Sequence, residues 1–332
     1  MNKKIFIGSI IAVALIVLSS FTSVVAIDTK QSIGRGETLY VGGSGPGNYT
    51  KIQHAIDNAS NGDTVYVYNG EYNDYYPDGQ FGYTVNINKE IILLGEDKNH
   101  TIINGTGQAI TVRVSADNVE INGFTIQNGG GAFCGGIRIM DGKYRTRIRY
   151  NIIKNNNAGI FMMFNRDVDI RNNIIKNNGN GIYVFDSTTT DIIENLIANN
   201  TNGIVIVYGN TDALFFPINF IVRNEIRDNN KGIQAENTQF LAQCNNFINN
   251  EKHTEIYKGV LLSYLKLYFK TRNIFSRNYW DDWSIKIPKP VKGLGVIWIQ
   301  TPKIDIPILQ LTYFEIDLRP CLSPYNYVDI MA

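Results

Sequence analysis

This sequence contains few cysteines and carries almost no net charge. Of 332 residues only three are cysteines, and the formal net charge is +1. Three scattered cysteines (Cys134, Cys244 and Cys321) are too few for a disulfide framework, although one disulfide-bonded pair stays open. With so small a net charge, no basic surface indicates a nucleic-acid partner.

Long apolar runs are also rare, and the one that stands out lies at the N-terminus. Lys3 and Lys4 precede an almost wholly apolar stretch, and Val24-Val25-Ala26 has the form of a cleavage site. We therefore expect residues 1–26 to be an export signal, with an uncleaved N-terminal anchor as the alternative. Either interpretation predicts a secreted or cell-surface protein that contacts a membrane, if at all, through this segment.

A repeat dominates the middle of the chain. The template Asn-x-Ile-x-Asn-Asn recurs with most steps near 22 residues, and a Gly-Ile pair follows most copies. The copies begin at Asn151, Asn173, Asn195, Asn224 and Asn245, and Asn273-Ile-Phe-Ser-Arg-Asn278 fits the template once more. A fixed period of this length is typical of a solenoid.

The residues between the asparagines predict which solenoid forms. Apolar residues alternate in short segments, as in strands, and are not spaced for a helix. Strands that pair in parallel with their copies one coil later form a parallel β-helix. Its inward residues should stack in columns, one of them being Ile148, Ile170, Ile192 and Ile221. Paired asparagines such as Asn155, Asn177, Asn199 and Asn249 are predicted to be turn residues with left-handed backbone, and stacked copies can hydrogen-bond to each other as a ladder.

The pattern divides the chain into four segments. Residues 1–26 are the signal or anchor, and residues 27–63 are a leader and N-terminal cap, whose short helix should start at a capping box of Thr50 and Gln53. Residues 64–283 form the β-helix, with room for about ten coils of the repeat length. Residues 284–332 form a C-terminal cap or flap.

Several motifs carry a family resemblance. The run Tyr-Thr-Lys-Ile-Gln-His-Ala-Ile-Asp-Asn-Ala at 49–59, the segment from Gly62, and Asn-Tyr-Trp-Asp-Asp-Trp at 278–283 resemble secreted right-handed parallel β-helix proteins. These proteins form the NosD-like branch of the pectin-lyase-like superfamily, with carbohydrate-binding and sugar-hydrolysis type repeats. The resemblance covers about Leu39 to Trp283. It implies an all-β, right-handed parallel β-helix, but such repeats encode a scaffold and do not specify an activity.

The NosD-like resemblance also raises copper as a cofactor. Copper favours clustered His, Cys or Met. His54, His100 and His253 are far apart in sequence, and Met162 and Met163 point to opposite faces of one strand. The sequence therefore disfavours copper and leaves calcium as a possible cofactor.

One candidate catalytic site lies on the outer face of the coils. Arg147, Asp169 and Asp191 should form one outward column, and Arg149 and Arg171 the next. Stacked aspartates beside arginines suit a calcium-assisted polysaccharide lyase or a retaining glycosidase. The alternative is an ordinary Arg147–Asp169 salt bridge with Asp191 solvated.

A candidate ligand-binding surface is apolar. Phe161, Tyr183 and Phe185 should point outward from the Gly-Ile strands, and flat aromatic rings suit the apolar faces of sugars. The alternative is that the insertion at 213–220 or the C-terminal flap covers them. The leading prediction is a carbohydrate-binding or structural protein whose partner is a polysaccharide or cell-surface glycan. The alternatives are a polysaccharide lyase or glycoside hydrolase, and a NosD-like copper-handling protein.

Overall fold

A computed structural model describes most of the chain after the leader. The described residues are 36–79, 82–107, 109–131, 135–208, 219–261, 273–283, 289–300, 305–317 and 320–326. The predicted signal, most of the leader, Cys134 and most of the insertion at 213–220 lie outside them. Within these ranges no helix is long and apolar enough to cross a membrane.

The described residues form strands and a single short helix. The helix is α1 (Ile52–Asn58). The strands are β1 (Thr38–Val41), β2 (Thr64–Val67), β3 (Gly70–Tyr72), β4 (Tyr83–Ile87), β5 (Ile92–Gly95), β6 (Thr101–Asn104), β7 (Ile110–Val114), β8 (Glu120–Asn122), β9 (Thr125–Gln127), β10 (Ile137–Ile139), β11 (Arg147–Arg149), β12 (Ile152–Lys154), β13 (Ala158–Met163), β14 (Arg166–Arg171), β15 (Ile174–Lys176), β16 (Asn180–Phe185), β17 (Thr188–Ile193), β18 (Leu196–Ala198), β19 (Asn202–Val207), β20 (Asn219–Val222), β21 (Glu225–Arg227), β22 (Lys231–Glu236), β23 (Phe240–Gln243), β24 (Asn246–Ile248), β25 (Lys252–Leu261), β26 (Ile274–Ser276), β27 (Tyr279–Trp280), β28 (Lys289–Gln300) and β29 (Asp305–Asp317).

These strands stack into three parallel sheets. Sheet 1 contains β1, β2, β5, β8, β11, β14, β17, β20, β23 and β26. Sheet 2 contains β4, β7, β10, β13, β16, β19, β22 and β25. Sheet 3 contains β3, β6, β9, β12, β15, β18, β21, β24 and β27. Each strand pairs in register with its copy one coil later, as Asp169 does with Asp191 and Ile160 with Ile182. The fold is therefore the predicted all-β, right-handed parallel β-helix.

The number of coils is smaller than the ten predicted. Sheet 3 contains nine strands, separated by eight turns of the solenoid. The prediction divided the length by 22, but successive strands of this sheet start between 21 and 33 residues apart. The two longest steps, of 31 and 33 residues, are the first and the last.

The core is built from stacked aliphatic columns. The predicted inward column of Ile148, Ile170, Ile192 and Ile221 is confirmed, since all four side chains are fully buried. Parallel pairing places each of these isoleucines directly above the previous one. Because β-branched side chains pack well on a pleated surface, a repeated isoleucine stabilises each sheet and fixes its register.

The prediction for the paired asparagines is confirmed in part. Asn155, Asn177, Asn199 and Asn249 all have left-handed backbone, with φ between 50° and 57°. The hydrogen-bonded ladders, however, lie mainly in other columns. They are formed by the residue that follows each of these turns and by the first asparagine of each template.

The first ladder runs through the first asparagine of each template copy. Each rung donates its backbone N–H and its Nδ2 to the Oδ1 of the next rung, at 2.9–3.2 Å. Its members are Asn151, Asn173, Asn195, Asn224, Asn245 and Asn278, and all are fully buried. The last rung donates to the buried carboxylate of Asp317, at 3.0 and 3.1 Å.

The second ladder is built in the same way and ends at a histidine. Its members are Asn156, Asn178, Asn200, Asn229 and Asn250. The Nδ2 of Asn250 lies 2.8 Å from the carbonyl oxygen of Ile226 and 3.3 Å from Nδ1 of His253.

The ladder corrects the register of the last template copy. The sequence aligned Asn273 with Asn245, but Asn245 donates to Asn278, which lies 33 residues later. Asn273 instead accepts a hydrogen bond from the backbone N–H of Phe240, in sheet 1. The template matched the wrong asparagine because Asn273 and Asn278, five residues apart, each begin an Asn-x-aromatic segment.

The two ends of the solenoid are closed differently. At the N-terminal end α1 begins one residue after Lys51, and no side chain caps it, so the predicted capping box of Thr50 and Gln53 is wrong. Gln53 is buried and bonds instead to the backbone N–H and C=O of Asn86. At the C-terminal end β28 and β29 form an antiparallel hairpin that pairs with β25 and β26.

Candidate functional site

A cleft of about 470 Å³ lies on the outer surface of sheet 1, at the predicted acidic site. Strands β11, β14, β17 and β20 supply its wall, because their outward residues stack in one column. The lining residues are Arg145, Arg147, Asp167, Val168, Asp169, Thr189, Asp191 and Phe220. The structure therefore brings together three of the four candidate catalytic residues, Arg147, Asp169 and Asp191.

Asp169 is held by two guanidinium groups. Arg149 forms a salt bridge with Oδ2 of Asp169, and Nε of Arg171 lies 3.4 Å from Oδ1. The expected alternative, a bridge between Arg147 and Asp169, is wrong, because Arg149 on the same strand reaches the carboxylate instead. Arg171, the fourth candidate, stands in the neighbouring column and does not line the cleft, but it holds the Asp169 carboxylate that does.

Asp191 differs from Asp169 in its surroundings. Burial and the neighbouring Asp169 carboxylate raise the pKa of Asp191 to about 6, against the smaller opposing effect of Arg171. A carboxyl group with this pKa exchanges its proton near neutral pH, which suits a general acid or base. Within the described ranges Arg147 forms no salt bridge, so its guanidinium is available to a ligand in the cleft.

The remaining lining residues shape the two sides of the cleft. Thr189 donates a hydrogen bond of 2.8 Å to Asp167, and both residues have left-handed backbone at the start of their strands. Phe220 stacks above Asp191 in the register of sheet 1. The cleft therefore combines carboxylates and arginines with an aromatic face at one end.

The predicted aromatic surface lies on sheet 2 and is only partly accessible. Phe161 is buried, because Tyr183 stacks on its ring at 5.1 Å and the Arg138 guanidinium lies over it at 5.2 Å. Phe161 therefore supports Tyr183 and offers little surface of its own to a ligand. Tyr183 and Phe185 keep part of their surface open.

Two exposed aromatic rings extend this surface. Phe164 and Tyr208 lie on either side of Phe185, with ring centroids 5.8 and 5.6 Å away. The three rings lie on consecutive coils: Phe185 ends its strand, while Phe164 and Tyr208 are the turn residues that follow theirs. The row was not predicted, because Phe164 and Tyr208 follow the strands and fall outside the alternating pattern.

A second polar cluster lies at the C-terminal end of the solenoid and was also missed. Nε2 of His253 lies 2.8 Å from Asp281 and 3.4 Å from Asp282. Lys289 forms a salt bridge with Asp282 and lies over the ring of Trp280 at 4.8 Å. The sequence offered only a weak signal, the pair Asp281-Asp282, because Asn278 follows Asn245 by 33 residues and a 22-residue period does not place the pair beside His253.

His253, Asp281 and Asp282 are arranged closely enough to surround a metal ion, but their hydrogen bonds do not fit one. Oδ1 of Asn250 accepts two bonds from Asn229, so its Nδ2 must face Nδ1 of His253. Nδ1 then accepts, and Nε2 carries the proton that it donates to Asp281. A metal at Nε2 would displace that proton, and the Lys289 ammonium would repel it.

The pKa of His253 agrees with a neutral ring. Burial is the largest influence and lowers the pKa, against the opposing effect of the two aspartates, while the Lys289 charge lowers it further. The cluster is therefore a set of mutually satisfied groups that fixes the end of the solenoid.

Two thiols also converge at this end of the molecule. The side chains of Cys244 and Cys321 both hydrogen-bond to the hydroxyl of Tyr325. Among the described residues, this pair is the softest donor set that the fold assembles.

The protein is a right-handed parallel β-helix with a cleft on the outer surface of its coils. The family model described as periplasmic copper-binding protein (NosD) matches residues 56–284, more than two thirds of the chain. The chain therefore belongs to the NosD family. The description of that family as periplasmic agrees with the predicted extracytoplasmic location.

Comparison with solved structures gives several weaker similarities. The mannuronan C-5 epimerase AlgE4 A-module of Azotobacter vinelandii is 18% identical with a TM-score of 0.46, over 68% of this chain and 73% of that one. Pectin methylesterase from carrot is 13% identical with a TM-score of 0.40, over 73% of each chain. An alginate lyase from Paenibacillus is 14% identical with a TM-score of 0.32, over 67% of this chain and 93% of that one. No curated protein sequence matches the chain.

Proposed function

We propose that this protein binds a polysaccharide outside the cytoplasm, in the cleft on sheet 1. The observation that carries the proposal is the pairing in one cleft of Arg147, which makes no salt bridge with any described residue, with a partly desolvated carboxyl, Asp191. Charged groups left without protein partners in a concave site are the groups that a polar ligand can satisfy.

The chemistry of the lining favours a sugar polymer with carboxylate groups. A guanidinium binds a carboxylate through two parallel hydrogen bonds, so Arg147 suits a uronate. The exposed carboxylate of Asp167 has acceptor capacity beyond its bond from Thr189 and can bind sugar hydroxyls, while Phe220 offers a flat apolar face. The cleft crosses several coils, as a site for a linear chain requires.

The aromatic row on sheet 2 supports the same class of ligand. Phe164, Phe185 and Tyr208 lie on consecutive coils, with neighbouring ring centroids 5.6–5.8 Å apart. Neighbouring rings meet edge to face, at 84° and 75°. Accessible aromatic rings suit the apolar faces of sugar residues, and their exposure needs a partner or a cover.

A second candidate function is cleavage of the bound polymer. It is favoured by the pKa of about 6 at Asp191, beside a carboxylate, Asp169, that two guanidinium groups hold. A protonated and an ionised carboxyl in one cleft are the pair that glycosidases use, and calcium bound by the carboxylates would instead suit a lyase.

Binding is tested by calorimetric titration of the purified protein with alginate, polygalacturonate and a neutral glucan. We expect a uronate polymer to bind, and Arg147→Gln and Asp191→Asn each to weaken binding at least tenfold. Lys154→Gln is the matched control, because this lysine lies on sheet 3, away from the cleft, and should leave the affinity unchanged. Equal affinity in wild type and both cleft variants would sink the proposal.

Cleavage is tested on the same polymers with and without calcium. New reducing ends without unsaturated product indicate a hydrolase, and calcium-dependent ultraviolet absorbance indicates a lyase. Asp191→Asn should abolish either activity. Binding without any product would leave the first proposal standing and exclude the second for that polymer.

A further inference from the structure

Three tyrosines, termed the tyrosine cluster, meet on the first coils of the solenoid. Tyr40 lies on β1, Tyr66 lies on β2 and Tyr68 follows β2 directly. Their ring centroids are 5.1–6.1 Å apart. The rings of Tyr40 and Tyr68 stack at an angle of 26°, and Tyr66 meets both edge to face, at 61° and 80°. The cluster is separate from both the cleft and the aromatic row on sheet 2.

The tyrosine cluster faces outward from sheet 1. Val65 and Val67, which flank Tyr66 along β2, are fully buried, so the alternation of the strand directs Tyr66 to the outer surface. Tyr40 pairs with Tyr66 in register and is 43% exposed. These rings therefore offer apolar faces and hydroxyl groups together on the outside of the coils, as sugar residues require.

The turn after β1 is shaped to hold the cluster. Gly42 and Gly43 have left-handed backbone, with φ of 76° and 64°. A Cβ atom on Gly43 would lie 2.8 Å from the Tyr68 ring, and one on Gly42 would collide with the Tyr72 hydroxyl. That hydroxyl donates a hydrogen bond of 2.8 Å to the carbonyl oxygen of Tyr68. The position of Tyr68 is therefore fixed before any ligand binds.

The tyrosine cluster and the cleft lie on the same face of the solenoid. In the register of sheet 1, Tyr66 is followed by Leu94, Asn122 and Arg149. Arg149 belongs to β11, the strand that also supplies Arg147 to the cleft. The side chains of Leu94 and Asn122 are partly exposed. A partly open strip of three strand spacings, about 14 Å, therefore joins the cluster to the cleft.

We propose that the tyrosine cluster is a second sugar-binding subsite for the polymer that the cleft binds, an inference that rests on the proposed function. The strands that carry Tyr40 and Asp191 are the ends of a series of seven, namely β1, β2, β5, β8, β11, β14 and β17. A sugar residue in an extended polymer is about as long as one strand spacing of ~4.8 Å. A chain that contacts both places therefore contains about seven sugar residues.

The two places contact the polymer through different groups. The cleft supplies arginines for carboxylates, whereas the tyrosine cluster contains no cation. Glu96, whose charge acts on Tyr66, accepts a hydrogen bond from the backbone N–H of Asn69. The tyrosines should therefore contact ring faces and hydroxyls of the sugar. Their share of the affinity should persist at salt concentrations that weaken binding in the cleft.

The test is a calorimetric titration with two uronate oligomers of defined length, a trimer and an octamer. We expect wild type to bind the octamer at least tenfold more tightly than the trimer. Tyr40→Ala and Tyr66→Ala should each remove most of that gain, whereas Tyr40→Phe, which retains the ring, should keep it. Tyr75→Ala is the matched control, because Tyr75 is 51% exposed but lies between β3 and β4, outside sheet 1. Circular dichroism checks that each variant is folded.

Two results would overturn this inference while the proposed function stands. One is equal affinity of wild type for the trimer and the octamer. The other is an octamer affinity that Tyr40→Ala and Tyr66→Ala both leave unchanged, although Arg147→Gln lowers it. Failure of the proposed function looks different, because then neither oligomer binds or Arg147→Gln has no effect on binding. In that case the shared chain is excluded as well.

Discussion

The cleft on sheet 1 and the cluster around His253 contain similar groups but differ in how those groups are paired. At the cluster, Asp281 accepts from His253 and from the backbone of Asn249, and Asp282 binds Lys289. In the cleft, Asp169 is satisfied by two arginines, while Asp191 is desolvated and Arg147 has no salt bridge within the described ranges.

This difference separates structural polar groups from candidate functional ones. A group whose hydrogen bonds are all made within the protein stabilises the fold and has nothing left for a ligand. A group that is desolvated without a partner costs stability, and such a cost persists where function requires it. The comparison therefore predicts opposite responses to mutation and pH in the two regions.

The largest expected effect is at Asp317, which ends the first asparagine ladder beside the cluster. Its buried carboxylate accepts from the backbone and side chain of Asn278 and from Nε1 of Trp280. Asp317→Ala leaves three buried donors without acceptors and should cost about 3–5 kcal/mol of unfolding free energy. Chemical denaturation measures the loss. Asp317→Asn retains one acceptor oxygen, so an equal loss in both variants would contradict this account.

The second largest effect is expected at Asp191 in the cleft, where a substitution should raise the unfolding free energy. Because the native pKa of Asp191, about 6, lies above its unfolded value, the ionised carboxyl destabilises the fold. Stability from this residue is greatest below about pH 4 and is lost as pH rises to about 6. Asp191→Asn should therefore raise the unfolding free energy by about 2 kcal/mol at pH 8 and by little at pH 4. A variant less stable than wild type at pH 8 would contradict the burial of this group.

A smaller effect on stability is expected at His253, whose contribution rises with pH, whereas that of Asp191 falls. Its native pKa is lowered, so the unfolded chain binds the proton more readily. Its contribution to stability is present above the unfolded pKa of about 6.5 and is lost as pH falls below it. His253→Gln should flatten the pH dependence of unfolding in this window. An unchanged pH dependence in His253→Gln would contradict this account.

The smallest effect compares two arginines of one strand. Arg149→Gln removes the salt bridge to Asp169 and should cost up to about 1 kcal/mol. Arg147→Gln removes no salt bridge and should leave the unfolding free energy nearly unchanged, while it weakens polysaccharide binding. Thermal unfolding of the two variants side by side checks this. A larger stability loss at Arg147 than at Arg149 would reverse their assigned roles.

The repeat predicted the fold well because its signal is periodic and local. The alternation of Ile160 and Met162 and the 22-residue spacing of Asn151 and Asn173 determine strands, register and inward columns. The same register placed Arg147, Asp169 and Asp191 on one face. Residues at a fixed offset in neighbouring coils must be neighbours in space.

The side-chain partners were harder to predict. Arg147 and Arg149 stand in adjacent outward columns, and only rotamers and distances decide which of them reaches Asp169. The cluster of His253 with Asp281 depends on a coil of irregular length, which no fixed period can count. The burial of Phe161 depends on Arg138, which belongs to a shorter strand one coil earlier.

The asparagine ladders give the solenoid a direction. Every side-chain amide in a column donates towards the C-terminal end of the solenoid, so each column has a donor end and an acceptor end. The donor end of the first column faces a carboxylate and that of the second faces an imidazole lone pair. A coil inserted or deleted as a complete unit would leave both ends with matching partners, so the length of this protein can change by whole coils while its terminal groups stay the same.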